Sequence, residues 1–195
     1  MSRAQLNTRD FKTNFKVTRD DGNDEERIIE GYFSLYENET ELFPNYFEII
    51  SKGAFDKTLT NDIRGLWNHN SQFVLGRTKN GTMELKTDDK GLFARIKLPN
   101  TSYAEDVWSL ISRGDVDQCS FGFNIVDETL EELANGGYRW RINEIDLHEV
   151  SVVTFPAYEN TSVLARSKEI EDLEKRKLQA KKLEIEKRLE RFKKC

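Results

Sequence analysis

The chain has 195 residues, of which 33% are charged and 37% are hydrophobic, and its formal net charge is −5 at pH 7. This length is enough for one domain with a hydrophobic core plus an appendage. Residues 166–195 carry 12 basic and 7 acidic side chains, whereas residues 1–165 carry 18 basic and 28 acidic ones. An acidic body argues against a nucleic-acid-binding domain, which needs clustered Lys and Arg to neutralise phosphates. We therefore expect no specific nucleic-acid partner.

Cysteine usage and hydropathy point to an intracellular protein. Cys119 and Cys195 are the two cysteines, too few for a disulfide framework. The N-terminus is polar and charged, unlike a secretory signal peptide, so we expect a protein that is not secreted. No apolar run approaches the roughly 20 residues that span a bilayer, and we therefore expect no membrane partner.

Most of the predicted elements are strands, identified by apolar alternation and by the turn residues between them. Residues 1–12 are polar and are predicted to form a flexible N-terminus. The predicted strands follow in chain order at 15–18, 28–36, 47–50, 82–86, 92–98, 117–126, 138–142 and 144–154. The apolar segment 63–67 is predicted to lead His69 onto a strand end or a loop.

Two short helices are predicted among these strands, at 53–59 and 102–113, and Thr101 or Ser102 can cap the second one. Many strands with few helices indicate an α+β protein with a barrel-like body. Residues 167–195 contain no Gly or Pro and scatter apolar side chains among Lys, Arg and Glu. This pattern favours a solvated, charged C-terminal helix, with a partner-binding helix as the alternative.

Ser120 is the first candidate for chemistry. In the strand 117–126, alternation puts Cys119 and Phe121 on the core face, and Ser120 and Gly122 on the opposite face. A small hydroxyl beside a glycine leaves room for another backbone, such as a peptide substrate. An ordinary surface serine is the alternative. Cys119 is a second candidate nucleophile, but a core-facing cysteine is usually inert.

His69 and Glu149 are candidates for the base and the acid that a serine nucleophile needs. His69 follows an apolar stretch and is flanked by polar side chains; a solvated loop histidine is the alternative. Glu149 lies in a strand row predicted to be mostly apolar, with Leu147 on the same face. A buried carboxylate needs a partner, which is either a protonated histidine or an Arg or Lys.

Asp146 and His148 are predicted on the other face of that strand and are the alternative third members of the site. With two histidines in the whole chain and a core-facing Cys119, a zinc site lacks ligands. We therefore expect no cofactor and no metal.

Several motifs in order along the chain resemble the tailed-phage prohead serine protease family, which is related to the herpesvirus assemblins. The resemblance covers roughly residues 12–166. The matching segments are Gly31-Tyr32-Phe33-Ser34, Ile50-Ser51-Lys52-Gly53-Ala54-Phe55, Leu66-Trp67-Asn68-His69-Asn70, Leu75-Gly76-Arg77, Cys119-Ser120-Phe121-Gly122-Phe123, and the run from Leu147-His148-Glu149-Val150-Ser151 to Tyr158.

The resemblance implies a mostly antiparallel β-barrel of the herpesvirus-protease type over residues 13–166, with surrounding helices. It implies an endopeptidase that cleaves scaffold and capsid-protein segments, and itself, inside the phage procapsid in the host cytoplasm. A homodimer or higher oligomer is compatible with it. His69 and Ser120 match the family's base and nucleophile. The acid is left open, since Glu149 fits the family's Glu-Val-Ser motif while the adjacent His148 fits the second histidine of the assemblins.

Two further hypotheses stay open at this point. One is a non-enzymatic assembly protein that keeps the fold and binds scaffold or capsid through its helical tail. Intact His69 and Ser120 favour the enzyme over it. The other is a hydrolase of small esters, which the lack of a small-molecule pocket signature disfavours. Arg77 either supports the site or has a structural role.

Overall fold

The structure, a computed structural model, describes residues 7–20, 23–155, 170–172, 174–183 and 185–186. The chain divides into two compact units, residues 1–157 and 158–195. In the second unit the residues at 170–172, 174–183 and 185–186 are helical, within the segment predicted to be a charged helix. The predicted boundary between residues 166 and 167 stays a prediction. None of the helices in the described ranges is long and apolar enough to cross a membrane.

Strands dominate the first unit, as the sequence predicts. The described residues form β1 (Asn7–Lys12), β2 (Lys16–Asp20), β3 (Asn23–Leu35), β4 (Thr40–Phe43), β5 (Tyr46–Ile50), β6 (Arg64–Trp67), β7 (Asn70–Arg77), β8 (Met83–Thr87), β9 (Gly91–Lys97), β10 (Gln118–Glu132) and β11 (Tyr138–Val153). One α-helix, α1 (Ser102–Arg113), and a short 3₁₀ helix (Asp56–Thr58) accompany them. The α+β class is confirmed.

The strands form two sheets rather than the predicted closed barrel. The seven-stranded sheet has β10 and β11 at its centre, with β1 beyond β10. The first part of β11 pairs in parallel with β5, and its last part pairs in parallel with β6, which continues to β7. The second sheet has the antiparallel order β2-β3-β9-β8. Across the described residues the hydrogen-bonded ladders do not close on themselves.

The hydrophobic core lies where the two sheets and α1 meet. It joins Phe33 of β3 and Ile96 of β9 to Phe121 of β10, Val150 of β11 and Val107 of α1, all at most 2% exposed. Side chains of this size each stabilise the fold by about 1.5–3 kcal/mol when fully buried. The long pair β10 and β11 is therefore held rigidly from one side, and its other side is available for the polar residues of the site.

Helix α1 occupies the predicted range, Ser102–Arg113, but the predicted side-chain cap does not form at Thr101. Thr101 is the N-cap residue, yet its side chain makes no capping hydrogen bond. At the other end Gly114 adopts the left-handed conformation, and its N–H bonds to carbonyl groups of the last helical turn. Glycine tolerates this conformation without a steric penalty, which explains why the helix ends there.

The N-terminal segment is the clearest correction to the predicted elements. Residues 1–12 are predicted to be flexible, but Asn7–Lys12 form β1, paired with β10. Arg9 forms an ion pair with the buried Glu48 of β5, which ties this polar strand to the sheet. The strand is hard to recognise because most of its residues are polar, and backbone pairing with β10 and the ion pairs of Arg9 and Lys12 contribute to its stability. Residues 1–6 lie outside the described ranges.

Candidate active site

His69 lies in the tight turn that joins β6 to β7. Trp67 pairs with Asn70, so Asn68 and His69 are the two central residues of the turn. Both have positive φ, 53° and 56°, as two-residue hairpin turns require. Asparagine is favoured at the first central position, but glycine is usual at the second. A histidine held there is strained, which is typical of functional sites.

Backbone and side-chain hydrogen bonds to β11 and to the residue after it hold this turn. The Asn68 N–H donates to the Val152 carbonyl at 2.9 Å, and the Thr154 N–H donates to Asn68 Oδ1 at 2.9 Å. The His69 N–H donates to the Ser151 hydroxyl at 3.2 Å. These contacts offset the strain at His69 and fix the imidazole beside the last strand of the central pair.

Glu149 contacts the imidazole directly. His69 Nδ1 lies 2.6 Å from Glu149 Oε1, and the Ser151 hydroxyl donates to Glu149 Oε2 at 2.6 Å. Glu149 is only 7% exposed. Because an ionised carboxylate only accepts hydrogen bonds, the ring proton lies on Nδ1 when His69 is neutral. The lone pair of Nε2 is then the basic position of the ring.

A β-bulge in β11 gives Glu149 this orientation. Gly122 pairs with Glu149, but the next residue, Phe123, pairs with Leu147, so His148 is an extra residue in the ladder. At that point the residues of β11 change the side of the sheet that strict alternation would give them. Leu147 belongs to the hydrophobic core, whereas Glu149 lies over Gly122 on the other side. The prediction that Leu147 and Glu149 share one face is wrong, because the bulge breaks the two-residue period.

Ser120 lies directly opposite Ser151 in the ladder between β10 and β11. Side chains opposite each other in an antiparallel pair have Cβ atoms about 4.5–5.5 Å apart, so the candidate nucleophile is next to the residue that bonds the His69 turn. Ser120 is 0% exposed, and among the described residues its Oγ has no hydrogen-bond partner. A buried hydroxyl without a partner costs free energy and needs an explanation, and a catalytic role is one such explanation.

Cys119 faces the other side of β10 and belongs to the core, as predicted. Its thiol contacts the Tyr32 carbonyl oxygen at 3.3 Å. Burial raises the pKa of Cys119 well above its ordinary value, because a thiolate is not solvated there. The reactive thiolate form is disfavoured, and Cys119 is a poor candidate nucleophile.

The two alternative third members of the site, Asp146 and His148, contact a different set of residues. His148 Nε2 lies 2.9 Å from Asn124 Nδ2 and 3.5 Å from Asp146 Oδ2. Asp146 Oδ1 in turn accepts a hydrogen bond from Asn61 at 3.0 Å. These side chains are about 40% exposed, whereas Glu149 is largely buried. The structure therefore brings Glu149, and not Asp146 or His148, to the ring of His69.

Arg77 belongs to a surface ion pair near the start of β6. Its guanidinium bonds to both carboxylate oxygens of Asp62, at 2.7 Å and 2.5 Å. This contact lowers the pKa of Asp62 to about 2. Arg77 thus holds the segment before β6 in place. This contact favours the structural role predicted for Arg77 over a direct role in the site. No group of His, Cys, Asp and Glu side chains in the described part of the chain is arranged to hold a metal ion.

The absence of a side chain at Gly122 is required by the position of Glu149. A Cβ at Gly122 would lie 2.5 Å from Glu149 Oε1. We expect Gly122→Ala to displace the carboxylate from His69 and to reduce cleavage at least tenfold, as a misplacement of about 1 Å costs on the order of 10²-fold. Peptide hydrolysis per mole of folded protein is the measurement.

Gly65→Ala is the matched control for this change. Gly65 is also a strand glycine, but its Cβ would contact Ile96 and Met83 in the core at 3.1 Å. We expect this variant to lose stability while each folded molecule keeps its activity. Equal activity of both variants per folded molecule would show that the observed position of Glu149 is not needed.

Sequence reasoning selected His69, Ser120 and Glu149 as candidates but did not identify the residues that position them. Ser151, Asn68 and Thr154 have no chemical signature of their own. The signal for Ser151 is its spacing of two residues from Glu149, which puts both hydroxyl and carboxylate on one strand face. The signal for Asn68 is the pair Asn-His at a hairpin turn, where Asn-Gly is expected.

Comparisons with known proteins give one family and one related fold. The model of the caudovirus prohead serine protease family matches residues 13–176. Among solved structures, the chain is similar to the capsid assembly protease gp21 of bacteriophage T4, with a TM-score of 0.51 and 14% sequence identity. The match covers 76% of this chain and 97% of that one. At this identity the likeness shows the fold alone. No curated protein sequence matches the chain.

Proposed function

Because the chain belongs to the caudovirus prohead serine protease family, we propose that it is a serine endopeptidase acting in procapsid maturation. Ser120 is the nucleophile, His69 the general base and Glu149 the acid that orients the base. The observation that carries this proposal is the 2.6 Å contact between His69 Nδ1 and Glu149 Oε1, which Ser151 supports from the ladder position opposite Ser120.

The mechanism follows from the protonation state of His69. With the ring proton held on Nδ1 by Glu149, Nε2 accepts the proton of Ser120 as Oγ attacks the scissile carbonyl. The same nitrogen then passes this proton to the leaving amine. Glu149 stabilises the imidazolium that forms between these two steps. Water attacks the acyl-enzyme in the second half of the reaction, with His69 again acting as base.

We propose that the substrates are segments of the scaffold and of the major capsid protein, and the chain itself. The site of action is the procapsid within the host cytoplasm. A homodimer or higher oligomer stays a prediction. Since Ser120 is 0% exposed, a peptide reaches its Oγ only after a covering segment moves, so we expect cleavage to depend on assembly.

Co-expression with the capsid and scaffold proteins tests the proposal. Mass spectrometry of the products is compared between the wild type and Ser120→Ala. Defined fragments that are present with the wild type and absent with the variant support a serine endopeptidase, and their ends give its cleavage sites. The same fragments in both would overturn the assignment of Ser120.

A non-enzymatic assembly protein is the second candidate, favoured by the complete burial of Ser120. It predicts intact partners in both co-expressions, together with normal incorporation of the chain into procapsids. Intact partners combined with a strong effect of Ser120→Ala on assembly would also point to this role, because the substitution would then change assembly although no peptide bond is cleaved.

The C-terminal helix gives a prediction about incorporation. Residues 166–195 carry a net charge of +5 on a chain whose remaining residues carry −10. A basic segment is suited to an acidic scaffold surface. We expect deletion of residues 167–195 to lower incorporation into procapsids more than it lowers peptide hydrolysis. The ratio of the chain to capsid protein in purified procapsids measures this, and unchanged incorporation would contradict it.

A further inference from the structure

Ser151 occupies a position between the two parts of the site that the proposed mechanism leaves unexplained. It is 0% exposed, lies on β11 two residues after Glu149, and pairs with Ser120 across the ladder. Its hydroxyl oxygen bonds the His69 backbone N–H at 3.2 Å and Glu149 Oε2 at 2.6 Å. A buried strand position of this kind is ordinarily filled by Val or Ile, so a hydroxyl there needs a reason.

We propose that Ser151 is a positioning residue that holds the carboxylate of Glu149 and the His69 turn in one fixed arrangement. This inference rests on the proposed serine protease mechanism and extends it to a residue that does not touch the substrate. Ser151 acts through Glu149 and His69, and not on the scissile bond.

The directions of the hydrogen bonds around Ser151 admit one arrangement of protons. The His69 backbone N–H can only donate, so Ser151 Oγ accepts from it. An ionised carboxylate can only accept, so the single hydroxyl proton of Ser151 is directed to Glu149 Oε2. Glu149 Oε1 is then left for His69 Nδ1–H. Each of the two carboxylate oxygens has one assigned donor, and rotation of the carboxylate would break both bonds.

Loss of the hydroxyl removes two constraints together. The carboxylate of Glu149 loses the bond that it accepts from Ser151, and the part-buried N–H of His69 loses its bond to the same hydroxyl. The turn at His69 has positive φ at both central residues and relies on contacts to β11. We therefore expect Ser151→Ala to loosen the imidazole without unfolding the sheet. The ring then samples both tautomers in place of the Nδ1–H form alone.

Nitrogen NMR of histidine side chains tests this without any substrate. The chain contains two histidines, so labelling with ¹⁵N-histidine gives two sets of ring signals, and His148→Gln assigns them. At alkaline pH, where both rings are neutral, we expect His69 of the wild type to show the Nδ1–H tautomer. Ser151→Ala should give a mixture of tautomers, and Ser151→Thr, which restores a hydroxyl, should recover the wild-type signals.

Ser34→Ala is the matched control. Ser34 is a 3% exposed serine on β3, in the other sheet, and its loss should leave the His69 tautomer unchanged. If thermal unfolding shows that Ser151→Ala does not fold, Ser151→Cys replaces it, since a thiol keeps the volume but donates weakly. An unchanged His69 tautomer in the folded variant overturns the proposal.

Kinetics add a readout that a purely structural role would not change in this way. In peptide hydrolysis we expect Ser151→Ala to lower kcat by about 10²-fold with little change in KM, because the base is misplaced while the substrate site is intact. Unchanged kcat in Ser151→Ala sinks the proposal even if the protease assignment stands. A wild type that cleaves nothing counts against the proposed function alone, and the NMR result then decides on Ser151.

Discussion

Ser120→Ala is expected to abolish cleavage and, at the same time, to leave the protein at least as stable as the wild type. The loss of kcat should be on the order of 10⁶-fold, as in serine hydrolases that lose their nucleophile. Ser120 Oγ is buried without a hydrogen-bond partner among the described residues, and such a group costs about 1–3 kcal/mol. Its removal should therefore raise the free energy of unfolding, by up to about 1 kcal/mol because the small cavity left by the oxygen offsets part of the gain. Peptide hydrolysis and denaturant unfolding of the same preparations measure both effects.

The control for this variant is Cys119→Ala, the neighbouring position on β10. Cys119 is also 0% exposed but faces the core. Its truncation leaves a small cavity, so we expect lower stability and retained cleavage. The two variants thus have opposite expected signs for stability, and only Ser120→Ala is expected to lose activity. Retained cleavage in Ser120→Ala with loss in Cys119→Ala would reassign the nucleophile to the cysteine.

The Ser120 hydroxyl lowers the stability of the folded protein, so its presence is easier to explain by function than by folding. The same holds for His69, whose positive φ of 56° is a conformation that few non-glycine residues adopt. Both residues are held in unfavourable states by the well-packed pair β10 and β11. The stability of the core, supplied by residues such as Phe121 and Val150, sustains this arrangement.

The sequence predicts the parts of this fold that depend on local patterns. The hairpin of β8 and β9 follows from its turn residues, and α1 follows from its apolar stripe. The face assignments of Cys119 and Ser120 also follow, because β10 alternates without interruption through both. These are properties of consecutive residues, and they need no knowledge of what packs against them.

Features that depend on residues far apart in the chain cannot be predicted from local sequence patterns. The strand β1 depends on pairing with β10, about 110 residues away in the chain, and its own residues are polar. The bulge at His148 depends on the facing Gly122, so no local period signals it. That bulge also decides which acid reaches His69. A strict alternation would have put Glu149 in one row with the core residue Leu147.

The choice of the third site residue among Glu149, Asp146 and His148 leads to the second large prediction. We expect Glu149→Gln to impair cleavage far more than His148→Ala. Glu149→Gln keeps the shape of the side chain but removes its charge. We expect kcat to fall by about 10⁴-fold, as in proteases whose buried triad aspartate is replaced by asparagine. His148→Ala removes a partly exposed ring that contacts Asn124 and Asp146, and should cost less than tenfold.

The physical reason lies in what an amide can do at the position of Glu149. The hydroxyl of Ser151 and Nδ1–H of His69 both donate to the carboxylate. A glutamine has one accepting oxygen, so one of these two donors must face its NH₂ group. If NH₂ faces His69, the ring is driven to the Nε2–H tautomer, which cannot accept the proton of Ser120. If NH₂ faces Ser151, the ring keeps its tautomer but loses the charge that stabilises the imidazolium.

The measurement is kcat and KM for peptide hydrolysis in Glu149→Gln, His148→Ala and Asp146→Asn, with thermal unfolding as the check on folding. KM should change little in all three, since none of these side chains is expected to hold the substrate. A larger loss in His148→Ala than in Glu149→Gln would transfer the third role to the second histidine. In that case the 2.6 Å contact between His69 and Glu149 would be a structural ion pair, and the bulge would serve to present His148 instead.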